Sequence, residues 1–233
     1  MNRQQFLLSL LAYPVFAKLP TEIDIDILTG QTSPILRFGL QKEASKSFEA
    51  MKKEAAKAKV KLHVTSGYRS YNKQIEIWNG KFDRYAAKGF KGLSLINKIT
   101  EFSAMPGTSR HHWGTDADIL DISVLQPKNP LEPLHYVSTK GVYNRLHEWM
   151  LHNADRFDFY EAYTDDPTRT GYEFEPWHFS YKPIAVKYLK SYNSNIKLSY
   201  IKLPQLKGKD LITEAFFNEY KRDYVNGINH YLQ

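Results

Sequence analysis

The stretch Pro106 to Asp121, PGTSRHHWGTDADILD, decides how the rest of this chain is read. Two adjacent histidines, His111 and His112, are followed closely by Asp116, Asp118 and Asp121. A Pro-Gly turn precedes them, Gly114 interrupts them, and the residues after Gly114 have the pattern of a short strand. Neutral imidazole and carboxylate are the ligand types a catalytic zinc takes, usually as three protein groups with a fourth position open to water. A turn leading into a strand can bring His111 and Asp118 to one ion. The competing reading is a polar loop with a surface histidine pair, and the remaining chain decides between them.

Composition narrows the choice. The chain has 233 residues, 42% of them hydrophobic, which suits one domain with a core, or one domain plus an appendage. It has no cysteine, so disulfides and thiolate ligands are excluded and any metal site must use histidine and carboxylate. No apolar run has the length of a membrane span. The first residues, MNRQQFLLSLLAYPVFAKLP, place Arg3 before an apolar stretch from Phe6 to Phe16, and Val15 and Ala17 approximate a small-x-small cleavage site. This resembles a secretory signal peptide over residues 1–17 and predicts an exported protein, periplasmic or associated with the cell envelope. A short N-terminal core helix is the alternative. The net charge of +7 draws the protein to polyanions. Nucleic acid is one such polyanion, but the chain has no recognition motif for it. A bacterial cell wall is the other, and export favours it.

Leu40, Ala44, Phe48, Met51 and Ala55 recur at helical steps and predict an amphipathic helix over about residues 40–59. Val60, Leu62 and Val64 then alternate with polar residues, a strand ending at Ser66-Gly67 with His63 on its polar face. Ser66-Gly67-Tyr68-Arg69-Ser70 reads as a strand-to-helix turn with Ser70 as N-cap. Gln74, Ile75, Trp78 and Phe82 mark one side of the helix that follows. Arg69 thus stands at the carboxyl end of a strand, where a guanidinium can hold a carboxylate or a developing oxyanion. Gly80 to Gly92 is Lys- and Gly-rich and poorly periodic, Leu93 to Phe102 has helical character, and Gln126 to Pro133 is a Pro-rich loop.

Gly141 to Asn153 reads as a helix. Its His147-Glu148-Trp149-Met150-Leu151-His152 fails as a zinc-protease HExxH helix, because Leu151 stands where the second histidine is needed; these residues are read as helix surface. Phe157 to Tyr163 and Tyr172 to Tyr181 read as strands. The second contains Glu175-Pro176-Trp177-His178, where ideal alternation sends Glu175 and His178 to opposite faces unless Pro176 introduces an irregularity. Pro183 to Tyr192 is a helix and residues 193–209 a polar connector. Leu211, Ala215, Phe216, Tyr220, Tyr224, Ile228 and Leu232 form an apolar stripe at helical spacing, expected to pack back on the domain.

Three of these stretches, SGYRS at 66–70, SRHHWGTDAD at 109–118 and EPWH at 175–178, together resemble the zinc D-alanyl-D-alanine carboxypeptidases and dipeptidases of bacterial cell walls. The resemblance covers about residues 40–190 and rests on three motifs in the correct order. It implies a small α+β domain: an antiparallel sheet with surrounding helices and a single Zn2+ site; the apolar stripe adds an extra C-terminal helix. Together with the signal-like start and the C-terminal stripe, it suggests a division into a signal peptide (1–17), a zinc peptidase domain (18–192) and a connector with a C-terminal helix packed on the domain (193–233). By position it implies zinc held by His111, Asp118 and His178, with Glu175 as general base and later acid. It places Arg69 on the oxyanion or the substrate, and Ser109 and Gln74 in substrate contacts. Asp116 departs from the family, which usually has alanine there. Asp116 shares a strand face with Asp118, and the family's seven-residue spacing from His111 favours Asp118.

The implied activity is hydrolysis of a peptide bond in peptidoglycan stem peptides, with removal of a terminal D-alanine as the leading expectation. An L,D-carboxypeptidase, a D,D-dipeptidase or a cross-link endopeptidase would use the same fold. A zinc-containing wall-binding module without catalysis is the alternative from another class, disfavoured by the presence of both Glu175 and Arg69. The chemistry agrees: zinc lowers the pKa of a bound water to about 7, a carboxylate can shuttle its proton, and a guanidinium can share the oxyanion charge.

Overall fold

Four short strands carry the fold, and the chain reaches them through helices on both faces. The computed structural model describes residues 22–233, so the expected signal peptide lies outside the described residues. Helix α1 (Ile25–Leu28) leads to a hairpin of β1 (Leu36–Arg37) and β2 (Leu40–Gln41). Helix α2 (Lys42–Lys57) buries Ala44, Phe48, Met51 and Ala55, the stripe its periodicity predicts. Strand β3 (Leu62–Ser66) buries Leu62 and exposes His63. Helix α3 (Tyr71–Ala86) starts at Ser70, whose side chain accepts from the Lys73 N–H, and buries Tyr71, Gln74, Ile75 and Trp78. It runs on through Gly80, a stretch whose composition reads as loop. Ile75 and Trp78 anchor this helix in the core, and that packing outweighs the roughly 1 kcal/mol a helical glycine costs.

Helix α4 (Gly92–Thr100) delivers the chain to a 3-10 turn at Arg110–Trp113 and then to β4 (Asp116–Asp121), buried along its whole length. Helices α5 (Pro133–Val137) and α6 (Asn144–Asn153) follow, then β5 (Phe159–Glu161), β6 (His178–Tyr181), α7 (Lys182–Asn195) and α8 (Glu214–Tyr220), which continues as one wider π turn to Val225. The sheet order is β3-β4-β6-β5 and every pairing is antiparallel. This is the α+β architecture that the motifs imply. No helix among the described residues is long and apolar enough to cross a membrane.

Two features of the sheet position the site. Asp118 and His178 are direct partners across the β4–β6 ladder, and Asp116 pairs with Ser180. The β3–β4 register shifts between Val64 and Ser66, which sets Ser66 opposite Asp118. Such a bulge re-aims side chains at the end of a strand. Ala117 and Ile119 point the other way, into a core with α2 and α6, so the alternation of β4 separates packing from polar chemistry.

Three expectations are corrected. The stretch expected as a strand over Tyr172–Tyr181 is a strand only from His178 onward. Glu175 to His178 is a tight turn, closed by the His178 N–H donating to Glu175 O at 3.0 Å. Pro176 explains it: proline favours the second position of such a turn and has no N–H for a ladder. His147 is not on the helix surface. It is buried against Glu161, with Nε2 3.3 Å from Oε1, and of the two histidines only His152 is exposed. The aromatic cover of Tyr136 and Phe174 outweighs the polarity of the local sequence.

The C-terminal stripe is also displaced. Ala215 is exposed, while Phe217, Tyr220, Val225, Ile228 and Leu232 are buried. At the C-terminal end of the helix the π turn over Lys221–Val225 departs from a strict 3.6-residue repeat, and Val225 is buried where Tyr224 was expected. These residues join the core formed by Trp78, Ile96, Trp113 and Tyr192. Ile196, Ile201 and Leu206 of the polar-looking connector enter the same core.

Candidate metal centre

The turn over Arg110–Trp113 fixes where the two histidines point. It ends at Gly114 in the left-handed conformation (φ 64°), where a Cβ would stand 2.5 Å from Leu36 Cδ2, so both backbone and space require glycine. His111 donates from Nδ1 to Gly67 O at 2.8 Å, because a carbonyl only accepts. Its Nε2 lone pair is therefore free and lies 3.5 Å from Asp118 Oδ1. Burial, aided by the Arg69 charge, lowers the His111 pKa and keeps this ring neutral. His112 faces elsewhere. Its Nε2 accepts from the Gly107 N–H at 3.1 Å and its Nδ1 donates to Arg69 O at 2.6 Å, so it braces the Arg69 backbone. A side chain at Gly30 would collide with its ring.

His178 completes the group. Nε2 lies 3.0 Å from Asp116 Oδ1, and Nδ1 lies 3.0 Å from Glu175 Oε2 and 3.6 Å from Asp118 Oδ1. Burial opposes a charge on this imidazole, but Asp116 and Glu175 push its pKa up to about 10. Burial would likewise raise the Asp116 carboxyl, yet the Arg110 guanidinium and His178 hold it well below the usual carboxylate range. Arg110 itself is buried, donating from Nε to Asp116 Oδ1 at 2.9 Å and from Nη2 to Ser180 Oγ at 2.6 Å. Asp116 is thus committed to Arg110, His178 and Ser180, and Asp118 is the carboxylate left for a metal. Asp118 Oδ1 is buried and, among the described residues, has no hydrogen-bond partner.

These donors fit zinc. His111, Asp118 and His178 offer ligand atoms within 4.8 Å of one another, and the two His–Asp separations, 3.5 and 3.6 Å, are near the edge of a tetrahedron with ligand bonds of about 2.0–2.1 Å. The orphaned carboxylate oxygen points to a cation, and all-imidazole-and-carboxylate ligation without thiolate is typical of catalytic zinc. Asp116 on the far nitrogen of His178 is the outer carboxylate that fixes ring orientation and ligand basicity.

The rest of the site surrounds this centre. Glu175 is buried and held by its N–H donating to Tyr163 O at 3.0 Å. Arg69 donates to Gln74 Oε1 at 3.0 Å and Ser66 Oγ at 2.9 Å, with Nη2 3.6 Å from Asp118 Oδ2. A cleft of about 390 Å³ opens over the group, with Arg69, Ser109, His111, Asp118, Glu175, Trp177 and His178 in its walls. Ser109 is therefore at the cleft, as the motif implies. Gln74 is not: it is fully buried, its amide divided between Arg69 and Ala104 O (2.7 Å), so it holds Arg69 instead of lining the cleft. Sequence reasoning missed Tyr163, Tyr172 and Lys81, which also line the cleft, and Arg110. A buried arginine beside a histidine-rich motif could have been paired with the unusual Asp116, since a lone buried charge is untenable.

The fold and donor set define an α+β protein built around one His-Asp-His centre. The family model described as VanY, D-alanyl-D-alanine carboxypeptidase, matches residues 37–184, and the chain belongs to that family. A D-alanyl-D-alanine carboxypeptidase of Enterococcus faecalis is 34% identical over 119 residues, 51% of this chain and 39% of that protein's length. A Haemophilus influenzae protein is 33% identical over 118 residues, 48% of this chain and 88% of its own length. Among solved structures, VanYB in complex with D-alanine-D-alanine superposes with a TM-score of 0.53 at 28% identity, covering 76% of this chain and 87% of that one. A vancomycin resistance D,D-pentapeptidase VanY variant in complex with Zn(II) gives 0.50 at 26% identity, covering 75% and 84%.

Proposed function

We propose that this protein is an exported zinc peptidase that hydrolyses a peptide bond in peptidoglycan stem peptides and releases a terminal D-alanine. The observation that carries the reading is the convergence of His111 Nε2, Asp118 Oδ1 and His178 Nδ1 beside Glu175 in an open cleft. Family membership and the similarity to a D-alanine-D-alanine complex support the substrate.

A zinc ion on this triad would supply a Lewis acid for the scissile carbonyl and an acidified water. Arg69, fixed by Gln74, Ser66 and the His112-braced backbone, directs its guanidinium at the side of the cleft where carbonyl charge develops. Glu175 takes a proton at its carboxylate and returns it to the leaving amine. The turn at Pro176 places it there, since His178 and Glu175 must face the same cleft. Trp177, Tyr163 and Tyr172 supply aromatic walls to the cleft. The N-terminal signal-like stretch supports a site of action in the periplasm or cell envelope.

Incubating purified muropeptides with the protein, with and without a chelator, and reading products by mass spectrometry tests this. The expected product is the stem peptide shortened by one alanine, formed only without chelator. Unchanged muropeptides in the presence of added zinc would reject it.

A further inference from the structure

One cation in the cleft has no part in the reading so far. Lys81 lies seven residues after Gln74 on α3, two helical turns along the same face, and it lines the cleft with Ile77, Phe102, Ser103 and Ala104. Its ammonium is partly buried, and among the described residues it makes one hydrogen bond, to Phe102 O at 3.1 Å, and no ion pair. The nearby carboxylates are already taken. Glu101 pairs with Lys98 at 2.6 Å, and Glu175 with His178 at 3.0 Å. Arg69, the other cation of the cleft, is held by Gln74 and Ser66 and is assigned above to the carbonyl of the scissile bond. A half-buried ammonium with donors to spare is costly unless something anionic meets it in the working complex.

Much of the lining around Lys81 is apolar, with Ile77, Phe102, Ala104, Leu131 and Pro133 in the same cleft, so the ammonium stands out there. Glu132 lines the same cleft, which thus presents acidic groups as well as the Lys81 ammonium. Burial pushes the Lys81 ammonium down to about 8, opposed by Glu175, so it is still charged at neutral pH.

We propose that Lys81 is a specificity-determining residue that receives the free C-terminal carboxylate of a peptide substrate lying in the cleft. It rests on the peptidase reading of the same site and adds the reason such an enzyme would act at chain ends: an internal residue has no carboxylate to give Lys81. An acidic side chain further along the peptide has the same chemistry, and the test separates the two sources.

The test is binding, not turnover. The zinc-loaded Glu175→Ala protein is titrated calorimetrically with an acyl-D-Ala-D-Ala peptide, its C-terminal amide, and an amide carrying a side-chain carboxylate. The same series is run with Lys81→Met added. The expected result is that the free acid binds about 10- to 100-fold tighter than the plain amide, the worth of one charge-assisted hydrogen bond, and that Lys81→Met removes the preference. Lys81→Arg should restore part of it, and circular dichroism should show both variants folded. Equal binding of acid and amide, no binding of either, or a preference that survives Lys81→Met would overturn the assignment. So would a Lys81-dependent gain confined to the side-chain carboxylate. Hydrolysis of muropeptides by the wild-type protein is read separately, so loss of the peptidase reading and loss of the Lys81 assignment are distinguishable.

Discussion

Asp116 Oδ1 lies 3.0 Å from His178 Nε2, on the opposite side of the ring from the nitrogen that faces Asp118. The same oxygen takes the Arg110 Nε–H at 2.9 Å. Asp116 and Arg110 thus form a buried ion pair that grips a metal-ligand candidate from behind. Asp116→Ala should therefore keep the His111, Asp118 and His178 donors yet weaken zinc affinity about 10- to 100-fold, as loss of an outer-shell carboxylate typically does. It should also lower stability by about 3–5 kcal/mol, because Arg110 is left as an unpaired buried charge. Zinc competition titration and chemical denaturation measure the two effects. Unchanged affinity would mean that Asp116 serves Arg110 alone.

Replacing a ligand should be more severe. His111→Ala, Asp118→Ala and His178→Ala should each leave the purified protein with little zinc by elemental analysis. If Asp116→Ala strips the metal while Asp118→Ala does not, the roles of the two aspartates are exchanged.

Much of this arrangement was legible in the sequence, and the reason is local. The alternation in DADILD puts Asp116 and Asp118 on one face whatever they bind, and the stripes of α2 and the Ser70 cap of α3 depend only on nearby residues. The choice between the two aspartates did not follow from alternation, since it depends on Arg110 and Ser180 reaching Asp116 across the fold. The turn at Pro176 was suggested by proline but required the β4–β6 register to place Glu175. His147 and Lys81 were hidden because burial by Tyr136, Phe174 and Phe102 is a long-range property.

The C-terminal segment gives a prediction outside the family match. Tyr220 accepts from the Met105 N–H at 3.0 Å and shares a hydrogen bond with Tyr172, a wall of the cleft, at 2.5 Å. Phe217 is buried in the same core. Phe217→Ala should cost about 3–5 kcal/mol. Tyr220→Phe should cost about 1–3 kcal/mol, since it leaves a buried N–H unsatisfied. Deleting residues 210–233 should lower the melting temperature while removing no zinc ligand. A deletion variant that melts like the full chain yet loses association with cell walls or membranes would make the segment a docking element instead.

The Lys81 assignment has a pH signature. Burial lowers this ammonium to about 8, Glu175 opposing and Arg84 and Arg69 adding to the fall. The positive charge is present below that value and lost above it. The ratio of acid to amide affinity should be full at about pH 6, fall through pH 8 and vanish by about pH 10. Taking the ratio cancels titrations that affect both peptides. A ratio flat across this range would separate Lys81 from carboxylate recognition.

The central claim is that Glu175 moves protons beside a metal it does not hold. The most direct measurement is zinc content and turnover of Glu175→Ala, side by side with the wild-type protein on the same muropeptide. The account predicts one zinc per chain in both, with turnover reduced about 10²- to 10⁴-fold in the variant. Near-normal turnover, or loss of zinc together with activity, would contradict it.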